Sequence, residues 1–103
     1  MKSILQTNKE CFMCRKLYGE DIGLTHDGLE EHHVMFGTAD RQISDRYGLT
    51  VWLCPSHHNR GMFSAHMNRK TNLILRRHAQ REFEKRYSHE EWVNLFGKNY
   101  LEV

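Results

Sequence analysis

Between residues 68 and 87, apolar side chains recur every four positions, at Leu75, Ala79, Phe83 and Tyr87. That spacing lays them along one stripe of an α-helix and predicts a long helix over 68–87 with its buried face there. Ser88-His-Glu-Glu91 then has the form of a capping box, so a last short helix is expected from His89 to about Phe96, ended by Gly97. Upstream the pattern changes. Leu49-Thr-Val-Trp-Leu53 is β-branched and aromatic and reads as a strand. An earlier strand is expected from Leu29 to about His33. The polar residues 37–48 between them are expected to form a connecting loop, with a helical turn around 42–46. Pro55 is tolerated in the first turn of a helix, which predicts a short helix over 55–60 that Gly61 breaks. Residues 1–10 read as a helical or irregular lead-in, Cys11-Phe-Met-Cys14 as a knuckle-like turn, and the glycine-punctuated residues 20–28 as a loop or short hairpin. No internal repeat or low-complexity segment interrupts this order.

These elements fit one α+β domain over residues 1–103, a length at which apolar burial alone is marginal. With 39% hydrophobic and 27% charged residues, the chain is globular rather than disordered. Its net charge is only +2, but the charge is unevenly placed. Residues 64–87 carry seven Lys or Arg against two acids, whereas residues 20–45 are rich in acids. Lys70, Arg77, Arg81 and Lys85 fall within about a quarter turn of one another on the long helix, the electrostatic footprint of phosphate-backbone contact. A solvated helix face is the plainer reading of such a stripe. No apolar run approaches a membrane span, and the N-terminus lacks the apolar core of a signal peptide, so a cytoplasmic protein is expected.

Three cysteines in a reducing compartment point away from a disulfide framework and towards metal or thiol chemistry. Of the eight histidines, six fall between His26 and His66, which favours a metal role over scattered surface use. Residues 53–66 alone hold Cys54, His57, His58 and His66. Cys11-x-x-Cys14 and Cys54-x-x-His57 together supply four ligands of the kind that close a tetrahedral structural zinc shell. Zinc would add folding free energy that a small core lacks. Adjacent helical residues point about 100° apart, so His57 and His58 are placed to serve two different sites. Strand alternation likewise sends His32 and His33 to opposite sides, and a twisted strand end lets one bind metal while the other faces substrate. Imidazole is a general base tuned near neutral pH, and a divalent cation beside it stabilises phosphoryl charge. His66 lies beyond the glycine break. It either completes a metal shell, contacts a phosphate, or is a capping or surface histidine, and the sequence leaves these open.

Taken together, His32-His33, the strand at 49–53 and Cys54-Pro-Ser-His57-His58 resemble the ββα-metal core of the HNH endonucleases. The likeness is nearer to small phage and prophage nucleases carrying His-His-x-Phe/Met-x-Gly, Tyr-Gly-Leu and Leu-Cys-Pro-x-His-His, the RecA-dependent recombination-enhancement (Ref-like) group. It spans roughly residues 11–100, including the closing Phe-Gly-Lys-Asn-Tyr. The resemblance implies a zinc-braced ββα-metal (treble-clef or HNH-like) core followed by C-terminal helices. It makes His33 the general base, His32 and His58 ligands of a catalytic Mg²⁺ or Mn²⁺, and Cys11, Cys14, Cys54 and His57 the Zn²⁺ shell. The implied function is metal-dependent DNA cleavage in recombination or processing, with DNA and a RecA-type recombinase filament as partners. One departure stands out: Leu49 occupies the place of the family's central Asn, which orients the base, and Asn59 lies on the helix instead. A zinc-stabilised DNA-binding module without catalysis is the competing class, and an RNA-directed nuclease or toxin a weaker third. The oligomeric state is not legible.

Overall fold

A computed structural model describes residues 2–19 and 28–101. The loop or hairpin expected over 20–28 lies outside the described residues, Gly28 apart. Among the described residues the architecture is α+β, with five helical segments and a two-stranded antiparallel sheet. The order is α1 (Phe12–Tyr18), β1 (Glu30–His33), α2 (Thr38–Tyr47), β2 (Thr50–Leu53), a single π-helical turn (Ser56–Arg60), α3 (Arg69–Arg86) and α4 (His89–Phe96). The strands pair Glu30 with Leu53 and His33 with Thr50. β2 is covered on its outer edge by the irregular N-terminal segment, where Gln6 Oε1 accepts from Trp52 N and Ser3 Oγ donates to the Thr50 carbonyl.

The long helix forms as its stripe requires. Asn68 caps α3 by accepting from Thr71 N, and Leu75, Ala79 and Phe83 are fully buried along it. Tyr87 is only partly buried, because it ends the stripe and packs on Phe83 and Tyr47. Ser88 accepts from Glu91 N and opens α4, which places Trp92 against Phe83, and Gly97 closes it in the left-handed conformation. The core is therefore aromatic at the C-terminal end and runs through Val34, Met35, Leu49, Val51 and Leu53 towards the cysteines.

Two local expectations are corrected. Residues 37–48 are not a loop with one helical turn but the ten-residue helix α2. Its inward positions include Ser44, whose hydroxyl donates to the Met35 carbonyl and accepts from Met35 N, so a polar residue docks the helix where an apolar one was sought. Gly48 ends it at φ 72°, and a Cβ there would meet the Lys2 carbonyl at 2.4 Å, so only glycine fits. The Cys11-x-x-Cys14 segment is likewise not a free turn. The helix begins at Phe12, directly after Cys11, and carries Cys14 in its first turn.

Candidate metal centres

Two segments about forty residues apart converge on the first cluster. Cys11 and Cys14 come from the start of α1, Cys54 from the end of β2 and His57 from the π turn, and all four are buried. His57 Nδ1 lies 3.5 Å from Cys11 Sγ, 3.5 Å from Cys14 Sγ and 3.4 Å from Cys54 Sγ, and Cys14 Sγ lies 3.9 Å from Cys54 Sγ. Zinc bonds of about 2.3 Å to sulfur and about 2.0 Å to nitrogen, at tetrahedral angles, give S···N edges of about 3.5 Å and S···S edges of about 3.8 Å. The four atoms thus have the spacing of a closed zinc shell. Burial pushes the Cys11 thiol up, and burial followed by the hydrogen bond with Cys11 pushes Cys14 up to about 12. A dication inverts that balance, because a coordinating thiol is deprotonated outright. The cluster is compatible with structural zinc.

The π turn separates the two neighbouring histidines. The Cys54 carbonyl accepts from both His57 N and His58 N, at 3.0 Å each. His57 then reaches the cysteines, while His58 turns towards β1 and meets His32 with ring centroids 5.2 Å apart. His66 joins them, 5.1 Å from His32 and 5.0 Å from His58. Its position follows from a chain reversal: Ala65 N donates to the His57 carbonyl and His66 N to the His58 carbonyl. The reversal needs Gly61, where a Cβ would sit 2.5 Å from the Ser56 carbonyl oxygen. One nitrogen from each of His32, His58 and His66 can be chosen so that all lie within 4.8 Å of one another.

This second cluster has a donor set that could hold a metal ion. His32 is buried, and its Nε2 has no hydrogen-bond partner, a costly state for a buried polar atom unless something satisfies it. Burial, reinforced by the charges of His58 and His66, lowers the His32 pKa to about 3, so the ring is neutral, as ligation requires. Burial and His58 lower His66 as well. His58 donates its Nδ1–H to Glu30 Oε1 at 3.1 Å, which leaves Nε2 free for a metal. The donor set matters for ion choice. Imidazoles suit zinc, nickel or iron more than the oxygen-seeking Mg²⁺ and Mn²⁺ expected from the sequence. Replacing Glu30 by Gln is expected to weaken divalent-ion binding at this cluster about 10–100-fold with the four-ligand shell still loaded. Titration calorimetry measures this, and unchanged affinity would remove Glu30 from the site.

His33 lies on the other side of β1 and faces carboxylates. Its Nε2 is 3.6 Å from Asp45 Oδ1 of α2 and 4.0 Å from Glu31 Oε1. His33 nevertheless borders the same cavity as the imidazole cluster, a space of about 230 Å³ lined by His32, His33, His58 and His66 with Glu31, Phe36 and Arg41. Glu30 and Asp45 are the functional candidates that sequence reasoning missed. Neither stands in a spaced motif, and both are set by strand pairing and by the unexpected helix α2.

The basic stripe is only partly free. Lys70 and Arg81 are exposed, whereas Arg77 Nε donates to the Tyr100 carbonyl and Lys85 pairs with Glu82 at 2.7 Å, lowering the Glu82 pKa. No helix among the described residues is long and apolar enough to cross a membrane. No protein-family model, curated protein or solved structure matches the chain.

Proposed function

We propose that this protein is a metal-dependent DNA endonuclease whose β1, β2 and π turn form a zinc-braced ββα-metal core. The observation that carries the reading is His33 bordering one cavity with three converging imidazoles, one of which has an unpartnered buried nitrogen. His32, His58 and His66 would hold a divalent cation, which supplies Lewis-acid stabilisation of the phosphoryl charge and the departing oxygen. His33 takes the proton from the attacking water. Asp45 Oδ1 lies 3.6 Å from His33 Nε2, longer than a hydrogen bond, and is the carboxylate placed to close on the ring and take the orienting role that Leu49 cannot. Glu30 keeps His58 in the ligating tautomer. The four-ligand shell, one turn away, fixes Cys54 and His57 and with them the backbone that carries His58.

A supercoiled-plasmid nicking assay tests this. Cleavage is expected with added Mn²⁺, Mg²⁺ or a later first-row divalent ion and not without one. Arms with and without a recombinase filament ask whether the partner of the Ref-like nucleases is needed. DNA binding without nicking under every ion would favour the non-catalytic zinc module instead.

DNA affinity itself should depend on α3. Replacing Arg77, Arg81 and Lys85 by alanine is expected to weaken binding at every sequence and to flatten its salt dependence by roughly one to two units of slope, since two of the three cations already have partners in the chain. An unchanged slope would return the stripe to a solvated face.

A further inference from the structure

A second, smaller cavity of about 120 Å³ lies between α3 and the C-terminal segment, lined by Arg69, Asn72, Leu73, Arg76, Lys98 and Tyr100. The four α3 residues fall at i, i+3, i+4 and i+7, so one helix face supplies two cations and an amide. The opposite wall is pinned in place. Tyr100 N donates to Gln80 Oε1, and the Lys98 carbonyl accepts from Trp92 Nε1. Arg76 lines the cavity and links its two walls. Its guanidinium lies 5.0 Å from the Phe36 ring centre and 5.4 Å from that of Tyr100, and its Nη1 donates to the Tyr100 hydroxyl. Its Nε–H is buried and has no acceptor, and the Asn72 amide oxygen is also without a partner. Because the Tyr100 oxygen accepts from Arg76, its own proton is left to donate. Among the described residues no carboxylate lines the cavity, so three cations face it uncompensated. An arginine with Nη1 already engaged keeps its Nε edge for an oxyanion, and arginine forks match phosphate oxygens.

We propose that this cavity binds a phosphate group of a nucleic-acid strand. Phe36 connects it to the histidine cavity, packing on Arg76 at one contact and on His66 at 4.7 Å at another. A strand crossing Phe36 would leave a backbone phosphate on Arg76 while its neighbour lies over the imidazoles. The oxyanion chemistry stands on the cavity alone, whereas its source in a nucleic acid rests on the nuclease reading of the adjoining site.

The test uses the zinc-loaded protein without added divalent ions. The Arg76 Nε–H resonance is followed by NMR during titration with a short DNA duplex and, separately, with inorganic phosphate. A shift with the duplex is expected. The double variant Arg69→Gln, Lys98→Gln changes two exposed side chains and leaves the fold in place. It should lower duplex affinity and reduce the slope of log K against log salt by roughly 2. A resonance silent to both probes, or an unchanged salt slope in the double variant, overturns the proposal. A response to inorganic phosphate alone overturns its nucleic-acid source. A protein whose Arg76 responds to duplex but which nicks no plasmid keeps this subsite and loses the nuclease reading. A nicking protein with a silent Arg76 does the reverse.

Discussion

A chelator that strips zinc at neutral pH is expected to unfold this protein. Structural zinc contributes about 10–16 kcal/mol in small domains, against a total stability of roughly 5–15 kcal/mol for a typical fold. Here the metal would tie α1 to the end of β2, two segments about forty residues apart in the chain, and three buried thiols would otherwise face one another. The cost is shared unequally by the two adjacent histidines. His57→Ala removes a ligand from the closed shell and should lower both zinc content and melting temperature. His58→Ala, whose ring points at His32 and His66, should keep zinc and stability and lose cleavage with its response to added divalent ion. Acid should mimic the chelator. The thiols of Cys11 and Cys14 are raised, so binding zinc must expel their protons, and the shell weakens as pH falls. Elemental analysis, thermal melts and plasmid nicking on both variants decide the matter. Matching phenotypes would sink the two-site arrangement, and swapped ones would reverse the ligand assignment.

How much of this was legible in the chain depends on the range over which each feature is set. α3 and α4 could be read almost to the residue, because Leu75, Ala79 and Phe83 repeat with the helical period and Ser88-x-x-Glu91 is a local start signal. The Cys-x-x-Cys and Cys-x-x-His pairs could be read for the same reason, since ligand spacing is a short-range property. α2 could not. Its inward face is built from Asp40, Ile43, Ser44 and Tyr47, and a serine bonded to the Met35 backbone leaves no apolar period to find. His66 was ambiguous because its place depends on the reversal at Gly61, a backbone contact with Ser56 that composition does not reveal. Glu30 and Asp45 were invisible for a third reason. Each is one of thirteen acids, and only the pairing of β1 with β2 and the packing of α2 on β1 brings them to His58 and His33. Arg76 falls in the same class. It lies outside the basic stripe, and its unpartnered Nε matters only once Phe36 and Tyr100 flank it.

His33→Ala is expected to cut the cleavage rate by about 10²–10⁴-fold, the usual worth of a positioned general base, while leaving zinc content, melting temperature and DNA affinity near wild type. The structural grounds for that separation are specific. His33 belongs to neither the four-ligand shell nor the imidazole cluster: its Nε2 faces Asp45 and Glu31, its side chain borders the cavity that the imidazoles line, and it retains about 14% of its side-chain exposure at the end of the strand. Removing it takes no ligand from the four-residue shell or from the imidazole cluster, and its carboxylate neighbours Glu31 and Asp45 are exposed. Imidazole added to the variant should restore part of the lost rate, because a diffusible base can enter the open cavity that the missing ring once bordered. Asp45→Asn should produce a smaller fall in kcat at nearly unchanged KM. Its Oδ1 lies 3.6 Å from His33 Nε2 and would orient the ring without touching substrate, and the exposed helix position makes a folding defect a poor alternative explanation. If His33→Ala cuts plasmid at the wild-type rate, His33 is not the base. If it loses zinc or DNA affinity along with activity, its role is structural, and the water-activating group must be sought among the imidazoles on the other face of the strand.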